Sequence, residues 1–295
     1  MEQMQTRSKV FLLGLVLAAL SSITAGVGAA QPEFLATSDD SFAHPHDLEL
    51  HPGGQWVFVA DVNHHDIKVL DARTLKTLAT IGDGELDSPH DVHFDKAGRL
   101  LVADSGNDRV VIYKLDGLKA KAVAELSEQM SSPEGVTTDA DGYIYVASTA
   151  NHRVLKFNGS KLVDGVGGRG DGDLEFVRPH DIELGADGLL YLGDPGNNRI
   201  QVLTRQLQFK GSISNNDKPF SEPKYLALDD KNWLYVADQH NNRLRIFNDQ
   251  RTELAVVTEA GRQSLNYIEG VEVANGYLWI ADTYNNRIVV FRWQP

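Results

Sequence analysis

The stretch PKYLALDDKNWLYVADQHNNRLRIF, residues 223–247, decides the fold of this chain. It opens with a proline-led run and turns into a second apolar run that ends in Val236-Ala237-Asp238. An Asn-rich turn closed by Arg243 then leads into a third run. Proline has no N–H to give to a β-ladder, so it suits the first residue of a strand. The stretch predicts successive short antiparallel strands, and nothing in it has helical periodicity.

This pattern recurs along the chain at steps of 43 to 46 residues. Its second-strand motif appears six times, at Val59-Ala60-Asp61, Val102-Ala103-Asp104, Val146-Ala147-Ser148, Leu192-Gly193-Asp194, Val236-Ala237-Asp238 and Ile280-Ala281-Asp282. Units of about 44 residues with four short strands are typical of propeller blades. The sequence therefore predicts an all-β, six-bladed β-propeller. We expect the repeated Asp and Arg to hold each turn together, with Asp66 in the arginine position of blade 1.

The repeats resemble the NHL family, whose proline-led first strand, "VAD" second strand and "NNRI" turn are all present here. The "NNRI" turn occurs literally at residues 197–200 and 285–288. The resemblance covers about residues 34–293 and implies a six-bladed propeller. It implies no particular activity, because propellers host many functions.

Residues 1–30 have the pattern of a secretory signal peptide. Arg7 and Lys9 precede an apolar run over residues 10–20, and small residues follow as far as Ala30. An uncleaved anchor is the alternative, although the run is short for a span of about 20 residues. We expect cleavage near Ala30, export to the periplasm or the medium, one propeller domain over residues 31–295, and no membrane span after cleavage.

The N-terminus of the mature chain is expected to complete blade 6. The last repeat ends soon after its third strand, whereas Glu33-Phe34-Leu35-Ala36-Thr37 resembles the outer strand of blade 1, Thr77-Leu78-Ala79-Thr80. Pairing of these two ends would remove an exposed sheet edge and close the ring. A disordered leader is the alternative.

Charge and cysteine content restrict the partners. The formal net charge is −13, and the chain has no cysteine. An acidic surface argues against nucleic acid and against an anionic membrane surface, and it is compatible with cations, neutral small molecules or basic peptides. The absence of cysteine excludes disulfides and thiol catalysis. We expect a monomer that binds a small molecule or a peptide or protein ligand.

One ring of side chains carries the candidate chemistry. It consists of the residue that follows each leading proline, or its equivalent in blade 6: His46, His90, Glu134, His180, Lys224 and Glu269. Imidazoles and carboxylates are usual ligands of zinc and related divalent metals. His46, His90 and His180 are therefore the candidate metal ligands, pointing into the channel mouth on the face of the Asn-Arg turns. Glu134, Lys224 and Glu269 are possible further members, and a solvated polar ring without metal is the alternative.

An aspartate follows each of the three histidines, at Asp47, Asp91 and Asp181. These carboxylates could accept the second imidazole N–H and orient the ring. Alternatively, they hydrogen-bond to the backbone at the start of the strand.

The "Pro-His-Asp" histidines also resemble those of the peptidyl-hydroxyglycine α-amidating lyases, a propeller family in which such histidines hold zinc. That resemblance implies zinc at His46, His90 and His180, with Tyr284 as the catalytic base. The chain departs from that family because its histidines lie in blades 1, 2 and 4, rather than in alternate blades, and because disulfides are absent.

Three functions remain open from the sequence. The first is an exported propeller that binds a ligand or protein partner on the channel face, with a His-based divalent-metal site. The second is a zinc-dependent enzyme of the amidating-lyase type. The third is a lactonase-like hydrolase in which Glu134, Glu269 and the aspartates hold calcium.

Overall fold

The computed structural model describes residues 31–38, 42–214 and 217–294. The signal peptide predicted at residues 1–30 lies outside the described residues. The described chain forms six four-stranded antiparallel sheets, which confirms the six-bladed β-propeller.

In blades 1 to 5 the strands follow one another from the channel outward, and in blade 6 the outer strand is β1 (Glu33–Thr37). A small hairpin lies between blades 5 and 6. In chain order they are β1 (Glu33–Thr37); β2 (Pro45–Leu50), β3 (Trp56–Asp61), β4 (Asp66–Asp71) and β5 (Thr77–Ile81) in blade 1; β6 (Pro89–Phe94), β7 (Leu100–Asp104), β8 (Arg109–Asp116) and β9 (Lys119–Leu126) in blade 2; β10 (Pro133–Thr138), β11 (Tyr143–Ser148), β12 (Arg153–Asn158) and β13 (Lys161–Gly167) in blade 3; β14 (Ile182–Leu184), β15 (Leu189–Asp194), β16 (Arg199–Thr204) and β17 (Phe209–Ile213) in blade 4; β18 (Pro223–Leu228), β19 (Leu234–Asp238), β20 (Arg243–Phe247) and β21 (Glu253–Val257) in blade 5; the hairpin β22 (Glu259–Ala260) and β23 (Gln263–Ser264); and β24 (Val271–Ala274), β25 (Tyr277–Asp282) and β26 (Arg287–Arg292) in blade 6.

Sheet 6 joins the two ends of the described chain. Strand β1 pairs antiparallel with β26, from Glu33 opposite Arg292 to Thr37 opposite Val289. The pairing continues beyond the strand, because Ser38 N donates to Ile288 O at 2.9 Å. The order of this sheet is β1-β26-β25-β24, so β1 is its outer strand.

The core lies between adjacent blades rather than in one central layer. Between blades 1 and 2, Phe58 of β3 packs edge-on against Phe94 of β6 with ring centroids 5.0 Å apart. The second strand of each blade is covered on both faces, which explains its nearly continuous apolar run. Each fully buried Leu or Phe contributes roughly 1.5–3 kcal/mol, so the ring is held by many such contacts.

In five of the six blades a buried aspartate holds the turn after the second strand, as the repeat predicts, and in blade 3 Ser148 takes this position. In four blades an arginine Nε donates to this carboxylate at 2.7–2.8 Å: Arg109 to Asp104, Arg199 to Asp194, Arg243 to Asp238 and Arg287 to Asp282. In blade 1, where Asp66 replaces the arginine, Lys68 Nζ lies 2.9 Å from Asp61. The helices of the described ranges are single 3-10 turns, at Val62–His64, Ser105–Asn107, Pro195–Asn197, Gln239–Asn241 and Thr283–Asn285. None of them is long or apolar enough to cross a membrane.

Candidate functional site

The backbone at the channel mouth is held from blade to blade. The residue before the leading proline of each blade, or before Ile268 in blade 6, has a positive φ of 45–62°: His44, Ser88, Ser132, Arg178, Glu222 and Tyr267. Its N–H donates to a side chain in the turn of the preceding blade, at Asn286, His65, Asp108, His152, Asn198 and Asn242 respectively. Such left-handed backbone is uncommon for residues other than glycine and needs support from its surroundings. These six bonds supply it and so position the ring residue two places further on.

The three predicted histidines come together at this mouth. The ring centroid of His90 lies 4.5 Å from that of His46 and 6.5 Å from that of His180. His46 and His180 are buried. The ring of His44, beside His46, lies 4.9 Å from that of Tyr284 in the blade 6 turn, so the cluster lies on the face of the Asn-Arg turns.

Two carboxylates contact the imidazoles. Glu269 Oε2 lies 2.7 Å from His46 Nδ1, and Glu134 Oε2 lies 2.5 Å from His180 Nδ1. Lys224 Nζ lies 3.3 Å from Glu269 Oε1. All six predicted ring residues are thus at the mouth. Four of them form two Glu–His contacts, Glu134 with His180 across the junction of blades 3 and 4, and Glu269 with His46 across the junction of blades 6 and 1.

Sequence reasoning missed two buried side chains of this site. Gln239 Nε2 donates to Glu269 Oε1 from the first position of the blade 5 turn. The signal was available, because the other blades carry smaller side chains there. Tyr225 donates its hydroxyl to His90 O at 3.0 Å, and its ring lies 5.4 Å from that of His180. It occupies the position that holds aspartate after each histidine, which is an available signal too.

Two glycines allow the Glu–His pairs to form. A Cβ on Gly270 would collide with His46 O and approach Asp47 Cα to 2.7 Å. A Cβ on Gly135 would collide in the same way with His180 O. Because the obstacles are backbone atoms, no rotamer change relieves them. Each glycine therefore sets how closely its blade approaches the next histidine.

The aspartates after the histidines bond to the next blade. Asp91 Oδ2 accepts from Val136 N at 2.5 Å, and Asp181 Oδ2 accepts from Leu226 N at 2.6 Å. Asp47 Oδ2 makes the same, longer contact to a backbone N–H of blade 2, at 3.4 Å. Inner strands have no neighbouring strand on the channel side, so their N–H groups need such acceptors. Of the two roles left open by the sequence, these contacts favour backbone bonding, in this case across a blade junction.

Burial lowers the pKa of two histidines in the ring of six residues at the channel mouth (the mouth ring). Burial, then the neighbouring His46, lowers the pKa of His90 to about 3. Burial, then Lys224, lowers the pKa of His180 well below its usual range. Both imidazoles are therefore neutral at pH 7, which is the form that binds metal ions.

The pKa values of the two glutamates in the mouth ring are shifted in opposite directions. Burial raises the pKa of Glu134 to about 8. Burial alone would raise the pKa of Glu269 as well, but His46 and Lys224 beside it hold that pKa far below its usual range. At neutral pH one carboxyl is thus mainly protonated and the other is ionised, a separation typical of acid–base pairs.

Several polar atoms of the ring and of the adjacent Gln239 are buried without a hydrogen bond. They are His46 Nδ1, both ring nitrogens of His180, Glu134 Oε2, Glu269 Oε2 and Gln239 Oε1. The close His–Glu approaches therefore do not follow hydrogen-bonding directions. Unsatisfied buried groups are rare and call for a partner such as an ion. Three imidazoles with two carboxylates suit a divalent metal, so the donor set fits one.

The donor atoms do not converge on one point as the side chains stand. In the described ranges, no group of three or more His, Cys, Asp or Glu residues is arranged to hold a metal ion. His90 Nδ1 instead donates to Ser88 O at 2.7 Å, which directs Nε2 away from that carbonyl. Coordination by all three histidines would require rotation of their side chains.

Below the mouth the channel is lined with half-buried acids. Burial raises the pKa of Glu272 to about 7. Burial, then a neighbouring carboxyl, raises the pKa of Glu49 and of Glu183 well above their usual range. Glu49 Oε2 accepts from Phe94 N at 2.6 Å, so this layer also binds inner-strand N–H groups. At neutral pH, ionisation of these groups opposes folding.

Replacing Glu272 by glutamine is expected to stabilise the protein at pH 8 and to have little effect at pH 5. The folded state holds this proton more tightly than the unfolded chain, so the stabilising contribution is complete below about pH 4.5 and lost as pH rises through about 7. Thermal unfolding midpoints of Glu272→Gln and the parent across this range test this, with the exposed Glu259→Gln as control. A difference in midpoint that is the same at pH 5 and pH 8 would contradict it.

Tyr284 belongs to an aromatic group beside the ring. Its ring stacks on Tyr267 with centroids 4.2 Å apart and lies 4.9 Å from His44. His44 in turn lies 6.4 Å from His46. Tyr284 therefore reaches the imidazole cluster through His44.

The fold and the ring define a β-propeller whose reactive side chains gather at one mouth of its channel. The family model described as "Lactonase, 7-bladed beta-propeller" matches residues 19–262. The chain therefore belongs to this lactonase propeller family, with six four-stranded blades among its described residues.

Individual proteins similar to this chain in sequence or in fold include lyases and a lactonase. A probable peptidyl-alpha-hydroxyglycine alpha-amidating lyase of Caenorhabditis elegans, pgal-1, is 28% identical over 171 residues, covering 53% of this chain and 46% of the relative. The matched part thus spans about half the length of that relative. A gluconolactonase of Xanthomonas campestris, XC5397, has a TM-score of 0.67 at 14% identity over 89% of this chain and 95% of that one. A streptogramin B lyase has a TM-score of 0.63 at 15% identity over 90% and 87%. The two solved structures show a shared fold.

Proposed function

We propose that this propeller is a metal-dependent lyase that acts at the channel mouth on small N-acyl-α-hydroxyglycine or peptidyl substrates. The observation that carries the proposal is the mouth ring, which brings together three imidazoles, those of His90 and His180 neutral, with one protonated and one ionised carboxyl. The similarity to an amidating lyase supports the substrate class. His46, His90 and His180 would hold the metal, with zinc as the first candidate.

Cleavage of an N-acyl-α-hydroxyglycine to an amide and glyoxylate moves one proton at each end of the breaking C–N bond. The hydroxyl loses a proton as the aldehyde forms, and the amide nitrogen gains one. A bound metal would polarise the substrate hydroxyl. Glu269, ionised and in contact with His46, suits acceptance of the hydroxyl proton, and Glu134, protonated at neutral pH, suits donation to nitrogen. Tyr284 is a less direct acceptor, since His44 links it to the ring.

Metal content tests the proposal. We expect the purified chain, stripped with chelator and reloaded with zinc, to retain about one ion per chain. His90→Ala should weaken retention about tenfold or more, because it removes one of three protein ligands. Elemental analysis after dialysis measures the stoichiometry, and glyoxylate release from N-benzoyl-α-hydroxyglycine measures turnover.

His93→Ala is the matched control, since His93 lies on the same strand β6 but bonds to Thr138 Oγ1 below the mouth, at 3.0 Å. It should leave zinc retention unchanged. Equal retention by the parent and His90→Ala would exclude the histidine site. Zinc retention without glyoxylate release would exclude the lyase activity and leave a metal-containing binding propeller.

A lactonase-like hydrolase is the second candidate, and membership of the lactonase propeller family favours it. The carboxylates of the ring and channel suit calcium, which prefers oxygen ligands. Calcium-dependent opening of a sugar lactone, absent with N-acyl-α-hydroxyglycines, would select this function over the lyase.

Export as a monomer is part of the proposal. The basic, apolar and small-residue pattern of residues 1–30 supports secretion. N-terminal sequencing of protein recovered from outside the cytoplasm should place the mature end near Ala30, and size-exclusion chromatography with light scattering should give the mass of one chain.

A further inference from the structure

We propose that Tyr267, Tyr284 and His44 form an aromatic platform that binds an aromatic or planar apolar group of the ligand and so selects substrates at the mouth. This inference rests on the proposed function, because it names the substrate class of the same site. The platform gives Tyr284 a role in recognition rather than in proton transfer.

The exposure of Tyr284 is unusual for its place in the fold. Of the six large hydrophobic residues in the described ranges that are at least about a third exposed, five lie on outer strands of blades: Phe34, Leu35, Leu78, Val123 and Val163. Tyr284, 48% exposed, lies instead on the channel face. An exposed aromatic ring beside a polar mouth is typical of a ligand contact.

Ring stacking and hydrogen bonds position the two tyrosines of the platform. The rings of Tyr267 and Tyr284 are nearly parallel, at 19°. The Tyr267 hydroxyl lies 2.6 Å from His240 Nε2, and its backbone N donates to Asn242 Oδ1 at 2.7 Å. Tyr284 N donates to Asn266 O at 3.1 Å. A surface already ordered before binding loses little conformational freedom on contact with a ligand, which favours affinity.

The platform adjoins the mouth ring on one side only, at blades 5, 6 and 1. His44 connects it to His46, with ring centroids 6.4 Å apart. Lys224 Nζ lies 5.9 Å from the centroid of Tyr267, which adds a cation at the same edge. A ligand with a carboxylate near Lys224 and an aromatic acyl group on Tyr284 would therefore satisfy both features. N-aroyl glycine derivatives have this arrangement.

Binding of two stable probes tests the platform without turnover. N-benzoylglycine and N-acetylglycine share the amide and the carboxylate and differ in the acyl group. Titration calorimetry on the full purified chain should show N-benzoylglycine binding about tenfold more tightly or better, because only its ring can stack on the platform. Tyr284→Ala should reduce this preference to about twofold or less, whereas Tyr284→Phe should keep it.

The probes, the variants and the metal analysis separate the platform from the metal site. Equal binding of the two probes to the parent chain, no measurable binding of N-benzoylglycine, or a loss in Tyr284→Phe as large as that in Tyr284→Ala would each overturn the platform. Zinc retention should be the same in all three chains, with an unchanged unfolding midpoint to show that Tyr284→Ala folds. If zinc is not retained by any chain while the benzoyl preference follows the variants as stated, the platform stands and the metal-dependent function fails.

Discussion

Gly270→Ala is expected to destabilise the propeller by roughly 3 kcal/mol and to displace His46 from the mouth ring. The new Cβ would meet backbone atoms of His46 and Asp47, so blades 6 and 1 must separate, and overpacking of this kind costs about 1–3 kcal/mol or more. In a domain of this size the unfolding midpoint should fall by roughly 6–12 °C. Thermal unfolding measures the first effect, and zinc retention measures the second.

Gly135→Ala should behave in the same way, because its Cβ would meet His180 and Asp181 across the junction of blades 3 and 4. The matched control is Gly211→Ala on an outer strand, where the added Cβ has open space. If Gly270→Ala melted with Gly211→Ala and retained zinc equally well, the close approach would not matter for the ring.

Deleting residues 31–38 is expected to lower the unfolding midpoint by roughly 10 °C or more and to promote aggregation. The deletion removes β1, its pairing with β26 and the bonds between Ser38 and Ile288. Strand β26 would then be an exposed edge, with Phe291 losing the edge-to-face contact to Phe34 at 5.8 Å. Differential scanning calorimetry and light scattering measure the two effects.

A chain in which residues 33–37 are replaced by a glycine-serine pentapeptide separates loss of the strand from loss of chain length. We expect it to melt close to the deletion variant, because it cannot supply the same pairing. A melting curve of the parent type for both variants would show that closure of the ring does not depend on β1.

The fold could be predicted from the sequence because the same motif recurs in every blade. The motif that ends at Asp104 or Asp238 recurs at nearly constant spacing, and each copy forms the same local structure of strand, turn and strand. Local chemistry, such as the arginine that bonds the buried aspartate of its own turn, is repeated with the sequence. The ring positions could be aligned for the same reason.

The contacts that the ring residues make could not be predicted from the repeat. Each depends on the blade next along the ring: Glu269 contacts His46 from 223 positions away in the chain, and Asp91 bonds to the backbone of the following blade. Spacing within one repeat carries no information on such contacts. The repeat alignment shows that Gln239 is the larger side chain at its position, but it does not show that Gln239 contacts Glu269 or that Asp91 accepts from Val136 N.

The sequence by itself thus determined the number of blades, the order of their strands and the identity of the six mouth residues, because these follow from a periodic local pattern. Only the tertiary structure decided how the six residues differ. Closing the ring buries them to different depths and places Glu269 beside His46 and Lys224, whereas Glu134 contacts the imidazole of His180. Burial then raises the pKa of Glu134, whereas the neighbouring His46 and Lys224 outweigh burial and lower the pKa of Glu269. Both causes arise from packing between blades rather than from any single repeat.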